Sequence, residues 1–243
     1  MKTSNNETKL LLVLGLIVVL GGGALLGINR LLQPPPPPSA SEKVTASRDV
    51  FDKLTKNARH VKGSPDAPVT VLEFADFQCP ACRSAYDTLV KRFDSDKIRL
   101  IYRHLPLPDH EAALPAAIAA EAAARQGKFW EMYAALFDPG LADPPRDLER
   151  GYFVKSAKKV GLDVARFERD LKDPALEALV KSDVELARSN RLDTTPSFFV
   201  RDGSGDIAFV TGVRQLTELM TRKKLLDAKD LAYSAAAPAP PAR

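Results

Sequence analysis

The only two cysteines among 243 residues, Cys79 and Cys82, follow an apolar run directly, in Glu73-Phe74-Ala75-Asp76-Phe77-Gln78-Cys79-Pro80-Ala81-Cys82. A strand that passes straight into a proline-started helix, with a dithiol at the junction, admits few folds. Val69 to Phe77 carries Val, Leu and Phe at strand-like density. Pro80 suits the first turn of a helix, where no backbone N–H is missed. Cys79 then meets unpaired N–H groups and the positive end of the helix dipole, which favour a thiolate over a thiol. That thiolate is the attacking species in thiol–disulfide exchange. A Cys-x-x-Cys pair alone fits half a zinc site or a small structural bridge equally well. The strand and helix around it are what point to redox chemistry.

The first residues bear on the compartment. Leu10 to Ile28 holds no charge, with Lys2 and Lys9 before it and Arg30 after it. This is long enough to cross the hydrocarbon core as a helix. It reads as a retained membrane anchor. A cleaved signal peptide shares the positive start and apolar core, but no small-x-small cleavage site follows closely. Pro34 to Pro38 then forms a stiff polyproline spacer that lifts a domain off the bilayer. The expected organisation is a cytoplasmic start (1–9), an anchor (10–28), a Pro-rich linker (29–47), a globular domain (48–232) and a disordered Ala/Pro tail (233–243). An apolar share of 45% with 27% charged residues is ordinary for a globular chain. The basic pairs and triplets, Lys158-Lys159 and Arg222-Lys223-Lys224, sit beside apolar residues at helical spacing and read as solvated faces, so no nucleic-acid partner is expected.

Periodicity places the elements between these ends. Helices are expected over Asp49 to His60, Ala81 to Phe93, Glu111 to Gln126, Phe129 to Phe137, Leu148 to Val160, Val164 to Arg191 and Gln215 to about Leu226. Asp163 is a natural N-cap for the helix opening at Val164. Strands are expected at Val69 to Phe77 and Ile98 to His104, joined by a helix and therefore parallel. Ser197 to Arg201 and Ile207 to Thr211 form an antiparallel hairpin around the turn at Asp202 to Gly205. The order describes a split α/β sheet with helices inserted between its halves, at about 107–191.

These residues resemble the DsbA-like group of thioredoxin-fold disulfide oxidoreductases from about Val61 to Leu226. The likeness is carried by Glu73 to Cys82, by Tyr102-Arg103-His104-Leu105-Pro106-Leu107, by the Ala-rich helix after His110, by Gly127-Lys128-Phe129-Trp130, and by Thr194-Thr195-Pro196-Ser197-Phe198-Phe199-Val200. The resemblance implies a thioredoxin fold with an inserted helical domain, and no cofactor beyond a redox-active Cys79–Cys82 disulfide. It makes Cys79 the nucleophile, Cys82 the resolving thiol, Glu73 the proton acceptor for Cys82, and Pro196 a cis proline. Thr195, Pro80 and Ala81 would face the substrate, with Thr195 touching the sulfurs. Glu73 lies between Leu72 and Phe74, and alternation puts it on the opposite face from them. Its burial therefore requires helices on both faces of the sheet, and burial raises the pKa of a carboxyl.

His104 and His110 could join the cysteines as metal ligands, but without a second Cys-x-x-Cys pair a metal site is not expected. Phe129 and Trp130 sit at core-like spacing. Pro80-Ala81 departs from the Pro-His pair of the strongly oxidising members, and one source of thiolate stabilisation is missing. Three functions remain open. One is an envelope oxidase that forms disulfides in unfolded or partly folded exported proteins and is reoxidised by a DsbB-like membrane partner. Another is a reductase or isomerase fed by a DsbD-like donor. The third is a non-enzymatic module that binds metal or peptide. The first places the chain in the bacterial inner membrane, single-pass, with its catalytic domain on the periplasmic side.

Overall fold

The computed structural model describes residues 46–90, 96–138 and 150–224. The expected start (1–9), anchor (10–28), linker as far as residue 45 and tail (233–243) lie outside these residues. Among the described residues no helix is long and apolar enough to cross a membrane.

Five strands form one mixed sheet: β1 (His60–Lys62), β2 (Val69–Ala75), β3 (Ile98–His104), β4 (Ser197–Arg201) and β5 (Ile207–Thr211), in the order β1-β3-β2-β4-β5. The β2–β3 pair is parallel, as the helix between them requires, and the other pairs are antiparallel. Helices α1 (Arg48–Thr55), α2 (Pro80–Ala85) and α8 (Gly212–Arg222) pack on the sheet. Helices α3 (Ala113–Ala124), α4 (Phe129–Phe137), α5 (Arg150–Lys159), α6 (Val164–Asp170) and α7 (Pro174–Ser189) intervene between β3 and β4.

All seven residues of the central strand β2 are buried, because helices cover both faces. Val69 and Val71 lie with Leu100, Phe198 and Val200 against Ala85 of α2 and Leu216, Leu219 and Met220 of α8. Further along that face, Ala75 and Tyr102 meet Ala116 and Ala120 of α3 and Met132, Tyr133 and Phe137 of α4. On the other face Leu72, Phe74, Ile101 and Phe199 pack on Phe51 and Leu54 of α1 and Ala187 of α7. Each of these large side chains contributes about 1.5–3 kcal/mol by leaving water. With both faces covered, Glu73 has no route to solvent, and it is fully buried.

Several boundaries differ from those expected, each for a local reason. The first helix stops at Thr55 rather than His60, and Asn57 follows it with φ of +55°, a conformation Asn tolerates. His60–Lys62 is instead an edge strand, too short for its alternation to stand out. The β2 strand ends at Ala75, two residues before Phe77. The helix carrying the dithiol is α-helical only to Ala85 and continues as a π-helical turn, Tyr86–Val90. The expected single helix from Val164 to Arg191 is two. Pro174 supplies no N–H and disfavours helical backbone at Asp173, which instead caps α7 by accepting from Ala175 N at 2.9 Å. Asp163 caps α6, accepting from Arg166 N at 2.9 Å. The last helix opens at Gly212, before Gln215.

Candidate active site

The dithiol sits where the chain leaves β2 and enters α2. Asp76 makes that turn: its Oδ1 accepts from Gln78 N at 2.7 Å, and its carbonyl accepts from Cys79 N at 3.2 Å. Cys79 is the N-cap residue of α2, with extended backbone and Pro80 next to it. The sulfur is thereby left among the first N–H groups of the helix. The two sulfurs are 3.6 Å apart and not bonded, so this is the dithiol form. Cys82 is fully buried and Asp76 N donates to its Sγ at 3.5 Å. Pro80 and Ala81 are exposed at the rim.

The second half of the sheet supplies the other wall. The Thr195–Pro196 peptide bond is cis, and Pro196 is buried with its carbonyl accepting from Gly212 N at 2.9 Å. The Thr195 carbonyl lies 3.5 Å from Cys79 Sγ. The hydroxyl of Thr195 is buried without an N or O partner among the described residues.

The two thiols have opposite acidities. Cys79 is lowered to about 6: the Cys82 thiol favours its thiolate most, and the Thr195 side chain and the backbone N–H groups of Cys82 and Ala81 add to this against the cost of burial. Cys82 is pushed well up, first by burial and then by the neighbouring Cys79 sulfur. Beneath them, Glu73 pairs in register with Tyr102 on one side and Phe198 on the other. Burial raises its carboxyl to about 8, with the Cys79 charge adding to the rise and a bond from Tyr133 opposing it. Tyr133 Oη donates to Glu73 Oε2 at 3.2 Å, while Oε1 is buried without a partner among the described residues.

The structure thus brings Cys79, Cys82, Glu73, Thr195 and Pro196 to one place, and it adds residues the sequence reading did not single out. Tyr133, on α4, is one. Asp76 is another: its Oδ2 accepts from Leu107 N at 2.9 Å and contacts His110 Nδ1 at 2.7 Å, tying the cysteine turn to the loop after β3. Gln78 Oε1 accepts from Ala112 N at 2.8 Å and makes a second tie. The partners of Asp76 and Gln78 are about thirty residues distant in sequence and that of Tyr133 is sixty, and nothing in the local pattern marks them.

His104 and His110 fall into different clusters. His110 is with Asp76, while His104 Nε2 and His60 Nε2 both lie against Glu121 Oε1, at 3.2 and 3.0 Å. These three groups, within 4.8 Å of one another, could ligate a metal. Arg59 Nη2 already occupies the same oxygen at 2.9 Å, so a cation entering there would have to displace a positive charge. Phe129 stacks on the His60 ring and is core, and Trp130 is half-buried against it.

The profile of a family described as Thioredoxin matches residues 55–206. A crystallised thioredoxin-like oxidoreductase from Silicibacter pomeroyi is 32% identical, with a TM-score of 0.59 over 75% of this chain and all of that one. Pseudomonas aeruginosa DsbA2 is 29% identical, with a TM-score of 0.51 over 73% of this chain and 93% of that one. A protein named Na(+)/H(+) antiporter NhaA 3 from Salinispora tropica is 39% identical over 154 residues, which are 63% of this chain and 23% of the antiporter. The chain spans about a quarter of the length of the curated relatives it matches.

Proposed function

The chain belongs to the thioredoxin family, and on that premise we propose that it is a thiol:disulfide oxidoreductase of the cell envelope that forms disulfide bonds in exported proteins. The observation that carries this reading is the split acidity of two sulfurs 3.6 Å apart: an acidic Cys79 at the helix start and a buried, proton-holding Cys82. In the oxidising direction a substrate thiolate attacks Cys79 Sγ of the Cys79–Cys82 disulfide. The S–S bond breaks, and Cys82 leaves as a thiolate and takes the proton held by Glu73. A second substrate thiolate then attacks the client sulfur of the mixed disulfide, which closes the client's disulfide and releases Cys79 as a thiolate.

Exposed Pro80 and Ala81, with the Thr195 backbone opposite, give an extended client somewhere to lie across the sulfurs. The uncharged stretch Leu10 to Ile28 favours attachment to the inner membrane with the domain outside the cytoplasm. A DsbB-like membrane partner would then reoxidise the dithiol. One observation favours a second reading, a reductase or isomerase fed by a DsbD-like donor: Ala81 puts a methyl group where the strongly oxidising relatives carry an imidazole. The equilibrium reduction potential of residues 46–224 against glutathione buffers separates the two. A value towards about −120 mV supports the disulfide donor, and one near about −270 mV overturns it in favour of the reductant.

A further inference from the structure

The helices between β3 and β4 do more than cover the sheet. Tyr133 comes from α4, and its ring is enclosed by Phe77, Tyr86, Tyr102, Trp130 and Phe137, at centroid distances of 5.0 to 5.8 Å. Packing on so many sides leaves the side chain one rotamer. Its only polar atom is thereby aimed at Glu73 Oε2, 3.2 Å away. Both residues are fully buried, and Tyr133 packs in the same core cluster as Cys79 and Cys82. Tyr102, the other phenol facing this carboxyl, is committed elsewhere: its hydroxyl donates to the Ala75 carbonyl at 3.2 Å. Glu73 therefore has one hydrogen-bond donor among the described residues, and it comes from the inserted helices.

We propose that Tyr133 is a positioning residue for thiol–disulfide exchange: its hydroxyl fixes one oxygen of Glu73 and leaves the other, Oε1, to exchange the proton with Cys82. The inference rests on the reading of Glu73 as that proton's acceptor. When Cys82 resolves a mixed disulfide, the Cys82–Cys79 bond forms and the bond from Cys79 to the client sulfur breaks. The client leaves as a thiolate and the Cys82 proton passes to Glu73. Only ionised Glu73 can accept it. A phenol that stays protonated, as burial ensures for Tyr133, donates to the ionised carboxylate and stabilises it. Tyr133 thus keeps the acceptor's titration close to neutral pH, where burial alone would drive it higher.

The groups that face Glu73 and can titrate are Cys79 and Cys82 from α2, Tyr102 from β3 and Tyr133 from α4, while β4 presents apolar Phe198. The test is the pH profile of the rate at which Cys82 expels glutathione from a preformed Cys79–glutathione mixed disulfide, measured by stopped flow on the full chain. Tyr133→Phe should move the Glu73-dependent step upward by about one pH unit and slow the reaction at pH 7 roughly three- to tenfold. Its effect should vanish in a Glu73→Gln background. 3-Fluorotyrosine at position 133 keeps the ring's shape and strengthens the donor, and should move the step the other way. This second variant decides the matter if Tyr133→Phe fails to fold. A step that neither change moves overturns the role of Tyr133 while leaving that of Glu73 intact. A step that survives Glu73→Gln overturns the Glu73 reading, and this inference with it.

Discussion

Thr195 holds its carbonyl oxygen 3.5 Å from Cys79 Sγ across 116 residues of sequence, so the loop that leads into β4 also touches the reacting sulfur. The same residue carries a buried hydroxyl that no N or O atom of the described residues engages, and this side chain favours the Cys79 thiolate. Thr195→Val keeps the branched shape and removes only the hydroxyl. The ultraviolet titration of the Cys79 thiolate should then move upward from about 6 by roughly half a unit to one unit. An unmoved midpoint would assign the acidity wholly to the Cys82 thiol and the helix N–H groups.

Glu73 makes stability depend on pH. Its folded value, about 8, lies above the ordinary 4.5, so the folded protein keeps a proton that the unfolded chain releases between those two values. Stability is fully present below the lower value and is lost as pH rises through the upper one. Cys79 runs the other way, from about 6 folded to 9.0 unfolded, and stabilises the dithiol form as pH rises through that window. Glu73→Gln removes the first dependence and leaves the second. Urea unfolding at pH 5 and pH 8 should show the variant gaining on the parent by on the order of 2–4 kcal/mol over that interval. Equal slopes would mean that the carboxyl is already ionised in the fold.

The local parts of this architecture were legible in the sequence, and its long-range polar ties were not. Ile98–His104, Phe129–Phe137 and both strands of the hairpin fall where periodicity puts them, because one or two buried faces dictate their composition. The Cys79-Pro80 junction was readable for the same kind of reason, since a proline at a helix start is a local event. Asp76 shows the limit. It looks like a turn residue, and it is one, but its bonds to Leu107 and His110 exist only once β3 lies beside β2. Tyr133 looks like one more aromatic in an apolar helix, and only the fold brings its hydroxyl to a strand sixty residues earlier.

Glu121 holds together a buried charge cluster remote from the thiols in sequence. Burial would push its carboxyl up, but bonds from His104 and His60 hold it well below the usual carboxylate range. Arg59 bonds the same oxygen through Nε at 3.2 Å and Nη2 at 2.9 Å, and continues to Asp183 Oδ2 at 2.9 Å. Arg103 reaches the other oxygen of Asp183 at 2.7 Å, so α3, α7, β1 and β3 meet here. Glu121→Ala strands the buried donors and should cost about 3–5 kcal/mol in urea unfolding. A loss under about 1 kcal/mol would show that water reaches these groups in the fold.

Ala81 lies between the two cysteines, where a substitution tests what sets the direction of electron flow. It is exposed, and its backbone N–H already helps to hold the Cys79 thiolate. An imidazole grafted there would add a second donor beside the sulfur without disturbing the core, because the position faces solvent. Stabilising the thiolate stabilises the dithiol form relative to the disulfide, and a disulfide whose reduced state is favoured is the stronger oxidant. Ala81→His should therefore lower the Cys79 titration and raise the reduction potential together. Each unit of pKa lost is worth about 1.4 kcal/mol, which for this two-electron couple is about 30 mV. Measured against glutathione buffers, a coupled shift in that ratio would tie the potential to the Cys79 thiolate. A lowered pKa with an unchanged potential would mean that the disulfide form gains equally, and that the residue between the cysteines does not decide whether the domain donates or removes disulfides.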